Sequence, residues 1–148
     1  MLFGSPRRGL SVCYPGLADS KGCIKEMQPE TEKEIKIMTN SNTRRIAELN
    51  DLCRKAMGIG GRLVQTAGIT ALPQPVQSAI REKVEMFDTF TGDNDPHRER
   101  DFGAFDHEGN RIFWKIDYYA LDMSHGSETP ADPKQTVRVL TIMLAEEY

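Results

Sequence analysis

The sequence predicts an α+β domain: a small antiparallel sheet of about four strands with two helices packed on one face. Three observations carry this. Two stretches, near residues 43–57 and 75–87, space their apolar residues at helical intervals. Asp101 to Asp122 alternates apolar and polar residues about a turn and holds the only Trp and five of the ten Phe and Tyr residues. Residues 136–146 alternate Leu140, Ile142 and Leu144 with Val139, Thr141 and Met143, so both faces of a strand there are apolar and the strand is central. A helix is the rival reading of that last segment.

The first helix is expected from about Thr43 to Met57. Ile46, Leu49, Cys53 and Ala56 make its stripe, with Leu52 widening it. Thr39-Asn-Ser-Asn-Thr43 supplies N-cap residues before it, and Gly58, Gly60 and Gly61 stop it. Arg44 and Arg45 then fall in the first turn, which the helix dipole disfavours. A short strand, Arg62 to Ala67, closes at Gly68. The second helix starts near Pro75, since proline suits a first helical position. Val76, Ile80, Val84 and Phe87 form its stripe, and Asp88 to Arg100 is a polar loop.

The hairpin has Asp106 and Gly109 at the first and last positions of a type I turn with a glycine bulge. Ile112, Trp114, Ile116 and Tyr118 fall on one face and belong to the core. Phe113, Lys115, Asp117 and Tyr119 fall on the other, with Arg111. Covering by the N-terminal segment or by loop 124–133 would explain their aromatic character without any function. Exposed aromatics beside charges instead suit an interaction surface.

The chain has 148 residues, about one domain, and a net charge of −3, which argues against a general nucleic-acid binder. Residues 1–37 are rich in Gly and Pro, lack periodicity and carry six basic against five acidic residues. They read as a disordered extension, or an upstream stretch included by start-codon choice, ahead of a single domain at 38–148. Residues 82–122 hold eleven acids and five bases. That window reads as a solvated acidic face or, with Asp93, Asp95 and Asp101, as part of a contact surface that binds a cation or a basic protein or mimics nucleic-acid charge. Three irregularly spaced cysteines, Cys13, Cys23 and Cys53, give neither a disulfide framework nor a metal knuckle and fit a reducing, cytoplasmic setting. No run approaches the ~18 apolar residues of a membrane span. Arg7-Arg8 precedes too short and broken a segment for an export signal.

Motifs for chemistry are sparse. His97, His107 and His125 lack ligand spacing, and Asp93-Asn-Asp-Pro lacks the glycine and spacing of a calcium loop. Ser124-His125 are neighbours, which rarely point at each other. Gly58-Ile-Gly-Gly61 follows a helix, the reverse of a phosphate loop. No catalytic residue, metal ligand or cofactor is therefore assigned.

The runs Asp93-Asn-Asp-Pro, Asp101-Phe-Gly-Ala-Phe, Arg111-Ile-Phe-Trp-Lys-Ile-Asp-Tyr-Tyr, Gly126-Ser, Pro130-Ala-Asp-Pro and Arg138-Val-Leu-Thr-Ile-Met-Leu-Ala-Glu-Glu-Tyr resemble a bacterial family of unknown function, numbered 3768. The resemblance covers about residues 43–148. It implies a small proteobacterial protein of plasmids and integrative elements and brings no catalytic residues.

Three functions follow as expectations. The first is a non-enzymatic accessory protein of a mobile element acting through protein contacts, with anti-restriction or anti-CRISPR action as one concrete version. The second is a small enzyme or metal-binding domain using Asp117, His107 or His125 with the loop carboxylates. The third is a weak nucleic-acid binder using Arg44, Arg45 and Arg62.

Overall fold

In a computed structural model, residues 29–148 are described. Helix α1 spans Pro29–Lys55, strand β1 Gly61–Gln65, the short helix α2 Ala67–Thr70 and helix α3 Gln74–Glu85. Strands β2 (Phe102–His107) and β3 (Asn110–Tyr119) form the hairpin, and β4 spans Val137–Leu144. A single 3-10 turn, Ala145–Glu147, follows. Residues 40–148 form a compact unit. Most of the N-terminal segment expected to stand apart, with Arg7, Arg8, Cys13 and Cys23, lies outside the described residues.

Helix α1 begins fourteen positions before the Thr43 expected from the caps, at Pro29. The Glu30–Lys36 run is made largely of good helix formers with acids toward the N-terminus, which suits the dipole. The cap-like cluster is absorbed into the helix: Thr39 Oγ1 donates to the Ile35 carbonyl at 2.9 Å, the four-residue back-bond open to a hydroxyl in a helix interior. Arg44 and Arg45 are consequently mid-helix rather than first-turn, and both reach Glu48, at 3.1 and 3.7 Å.

The helix stops as the glycines foretold, with one difference. Met57 itself takes the left-handed conformation (φ 47°), and Gly58 N–H bonds back to Cys53 O at 2.8 Å while Met57 N–H reaches Arg54 O at 3.1 Å. This is a Schellman closure with a non-glycine at its left-handed position. Gly58 is also left-handed (φ 87°), and a Cβ there would sit 2.9 Å from Leu63 N.

The sheet order is β1-β4-β3-β2. It is mostly antiparallel, but β1 pairs with β4 in parallel, Leu63 opposite Leu140. The expected four-stranded, mostly antiparallel sheet is thus present, with one parallel pair at its β1 edge. Between β1 and β4 the chain passes through both shorter helices and the hairpin, a crossover long enough to re-enter in the same direction. β4 lies between two strands with both faces largely buried, as its double apolar pattern required. The hairpin turn also differs. His107 pairs with Asn110, and Glu108 (φ 48°) and Gly109 (φ 80°) form a two-residue loop. Both positive φ angles mark the mirror-image type I′ turn, whose twist matches the strands.

One face of the sheet carries the core. Ile112, Trp114 and Ile116 of β3 and Leu140 and Ile142 of β4 cluster with Cys53 of α1, Ile69 of α2, and Ile80 and Val84 of α3. Both long helices thus pack on one face, as expected. Trp114 is fully buried and packs against Gly103, where a Cβ would come within 2.5 Å of the indole Nε1. Phe87 and Phe90 meet the indole edge-on at 5.4 and 6.2 Å.

Candidate functional site

Two regions gather polar and aromatic side chains. On the sheet face opposite the core, strand alternation aligns Phe113, Lys115, Asp117 and Tyr119 of β3, all half-buried. Phe102 of β2 and Phe113 pack edge-to-face at 5.4 Å, and Tyr148 joins both, at 6.1 and 5.7 Å. Among the described residues, Phe113 is thus met by a second ring of the hairpin and by Tyr148, and the expected cover by the N-terminal segment falls largely outside the described residues. Loop 124–133 meets the other end of the strand, where Gly126 bridges the Tyr119 backbone. Lys115 Nζ and Asp117 lie 2.9 Å apart with about a third of each side chain exposed. This hydrogen bond holds the ammonium pKa above its ordinary value, against a smaller opposing effect of burial.

The second region lies on the core side, where α1 faces the 86–101 loop. Asn50 is fully buried. Its amide donates to the Glu99 carbonyl (2.9 Å) and to the Tyr118 hydroxyl (2.7 Å), and its Oδ1 accepts from Arg138 Nε at 2.9 Å. The Tyr118 hydroxyl donates to the Glu99 carboxylate at 3.0 Å. Burial pushes the Tyr118 hydroxyl far up and the Arg138 guanidinium down from their ordinary pKa values. Arg138 also stacks over the Tyr118 ring at 5.4 Å.

One turn toward the end of α1, Arg54 lies between Trp114 and Phe90, 5.4 and 5.7 Å from their centroids. Its guanidinium donates to the Val84 and Glu85 carbonyls at 2.7 and 2.6 Å, closing the C-terminus of α3. It also holds Asp51 at 3.0 Å, and Asp51 holds Arg100 in turn. A hollow of about 510 Å³ opens here, lined by Arg54, Lys55, Glu85, Phe90 and Arg100 among others.

The loop acids expected to extend a contact surface divide. Asp93 is exposed in a turn. Asp95 is buried, and its Oδ1 accepts the Glu99 and Arg100 N–H groups at 2.8 and 3.0 Å. Asp101 is half-buried; burial above all raises its carboxyl pKa, while its carbonyl accepts from Ile116 N–H at 2.7 Å. Asp95 therefore shapes the loop instead of facing a partner.

The enzyme reading loses its convergence. His107 stands at the hairpin tip, paired with Asn110. Asp117 is seven positions further along β3, roughly 23 Å of extended chain. His125 lies in the loop after β3. Among the described residues, no three His, Cys, Asp or Glu side chains are grouped to hold a metal. Ser124 and His125 do meet, contrary to the expectation for neighbours: Oγ and Nδ1 are 2.8 Å apart. The serine proton, however, goes to Asp122 Oδ1 at 2.8 Å, which also accepts the Ser124 N–H at 3.0 Å. These bonds hold the Asp122 pKa below its ordinary value. A nucleophilic serine must surrender its proton to the imidazole, so this exposed trio is a turn. Arg44, Arg45 and Arg62 are not gathered either. Arg44 lines a hollow with Arg98 and Arg100 that Arg62 does not line.

Asn50, Arg54 and Arg138 were missed as key residues, yet each leaves a trace. Asn50 and Arg54 fall four and eight residues after Ile46, on the apolar stripe of α1. Arg138 falls in register with Leu140 and Ile142. A polar residue at a core position signals a buried network.

A family model described as a protein of unknown function, DUF3768, matches residues 65–147. The chain belongs to this family. The DUF3768 match takes in all of the hairpin and β4, from the last residue of β1 onward, and so includes every residue of the open face named above except Tyr148. It is narrower than the 43–148 resemblance and leaves out α1 with Asn50 and Arg54. No curated protein and no solved structure matches this DUF3768 chain significantly. Among the described residues no helix is long and apolar enough to cross a membrane.

Proposed function

We propose that this chain is a non-enzymatic accessory protein of a mobile element that acts by binding another protein through the open face of its sheet. One observation carries the reading: Phe113, Lys115, Asp117 and Tyr119 stand half-exposed on one strand, on the face away from the core cluster of the helices. Rigid aromatics beside a charged pair, presented on a sheet, supply binding area with little side-chain entropy to lose.

The charge pattern supports one kind of partner. On this face Asp106 is paired with Arg111 at 2.9 Å and Asp117 with Lys115. Such balanced pairs favour a partner surface that is apolar and aromatic with mixed charges, and they count against mimicry of nucleic-acid charge as the mode of action. An anti-restriction or anti-CRISPR protein of this kind would block its target by covering it. The mobile-element setting rests on the family resemblance.

The test is partner capture by the full chain from a host carrying the element, in parallel with the K115E/Y119A double variant. The wild type should recover a defined partner, and the double variant should lose it while keeping its melting temperature. Equal recovery by both proteins would refute the proposal.

A further inference from the structure

The segment Arg98-Glu99-Arg100 is held in an unusual conformation. Arg98 (φ 59°) and Arg100 (φ 54°) are both left-handed, which is costly for long side chains. The surrounding contacts enforce it. Buried Asp95 takes the N–H groups of Glu99 and Arg100, and Asn50 takes the Glu99 carbonyl. The Glu99 carboxylate is drawn to the Tyr118 hydroxyl. Glu99 is thereby committed inward, while Arg98 and Arg100 both line a hollow of about 480 Å³ against α1.

That hollow is rich in donors. Arg44, Arg98, Arg100, Asn40 and Thr43 line it, with Phe90 and Ala47 as its apolar wall. Its one carboxylate, Asp95, is turned to backbone N–H groups. Arg44 spends its Nε on Glu48, and Arg100 one terminal nitrogen on Asp51, so each guanidinium keeps further N–H groups. Both pairs have an exposed arginine, and such pairs rearrange at little cost. Arg98 forms no ion pair among the described residues. Three arginines and one carboxylate line this hollow, in a chain of net charge −3.

We propose that this hollow binds a phosphate group, with Arg98 and Arg100 as its principal donors and Arg44 closing it from α1. Planar guanidinium forks match phosphate oxygens in pairs. A nucleotide and a nucleic-acid strand share this chemistry. The site is separate from the open sheet face and stands independently of the function proposed for it.

Calorimetric titration of the full chain at low salt tests this, with pyrophosphate, ATP and an oligothymidylate as probes. At least one should bind saturably, weaken with added salt, and weaken about tenfold or more in R98G, the effect of losing charged hydrogen bonds. Binding of pyrophosphate and ATP assigns the source to small phosphate compounds, and binding of the oligonucleotide alone to a nucleic-acid backbone. R98G is chosen because glycine accepts the left-handed backbone freely, so its melting temperature should not fall. No binding by any probe, or binding that R98G leaves unchanged, would overturn the proposal.

Discussion

The two faces of the sheet use charge in opposite ways. On the open face, Lys115 and Asp117 satisfy each other near the surface, and neither reaches into the core. On the helix side, Asn50, Arg54 and Arg138 are almost wholly buried and bond to carbonyls and hydroxyls from distant parts of the chain. The first arrangement leaves the β3 side chains half-exposed, while their β4 neighbours on that face, Val139 and Met143, are buried. The second joins α1, the 86–101 loop and the sheet into one unit and has little freedom left for chemistry. Buried polar groups are costly unless fully partnered, so their cluster marks architecture before it marks function.

Substitutions should separate the faces sharply. The largest effect is expected from Arg54→Ala, which opens space between Trp114 and Phe90 and frees the end of α3. A loss of about 3–5 kcal/mol in urea unfolding is expected. Tyr118→Phe removes one hydroxyl and leaves Asn50 and Glu99 each short of a partner, for about 1–3 kcal/mol. Both losses should vanish from the matched experiment on the open face: Lys115→Ala with Asp117→Ala should shift stability by less than about 1 kcal/mol, as exposed pairs do. A larger loss there would mean the open face also holds the fold.

A pH experiment sharpens the same contrast. Asp101 is held above its ordinary carboxylate pKa, chiefly by burial. The folded state therefore binds its proton more readily than the unfolded chain does. Stability contributed by Asp101 is greatest at acid pH, falls as pH rises from the ordinary aspartate value through the raised one, and is level above it. Asp101→Asn should remove that fall and be the more stable protein at neutral pH. Denaturant melts of both proteins across the acid range would show it.

Much of this was legible in the sequence, and the losses have particular causes. Ile112, Trp114, Ile116 and the double apolar pattern of Val137–Leu144 read correctly because strand alternation is a strict two-residue rule. The start of α1 was misplaced because Thr39 to Thr43 are good caps that a long helix can nevertheless absorb, as the Thr39 back-bond shows. The hairpin turn was misread because Glu108 is an unusual residue for a left-handed position. The parallel pairing of β1 with β4 joins residues more than seventy positions apart, beyond any local pattern. At the candidate site, the shared face of Phe113 to Tyr119 followed from alternation. The inward turn of Asp95 and the arginine hollow did not, because they depend on a loop conformation fixed by Asn50 and Tyr118.

The central claim is that the open face, and not the polar side, meets the partner. Hydroxyl-radical footprinting of the captured complex reads side-chain access directly. The account predicts that Phe113, Tyr119 and Tyr148 become protected in the complex while Phe90 keeps its reactivity. Unchanged reactivity at Phe113, Tyr119 and Tyr148, with protection at Phe90, would contradict it.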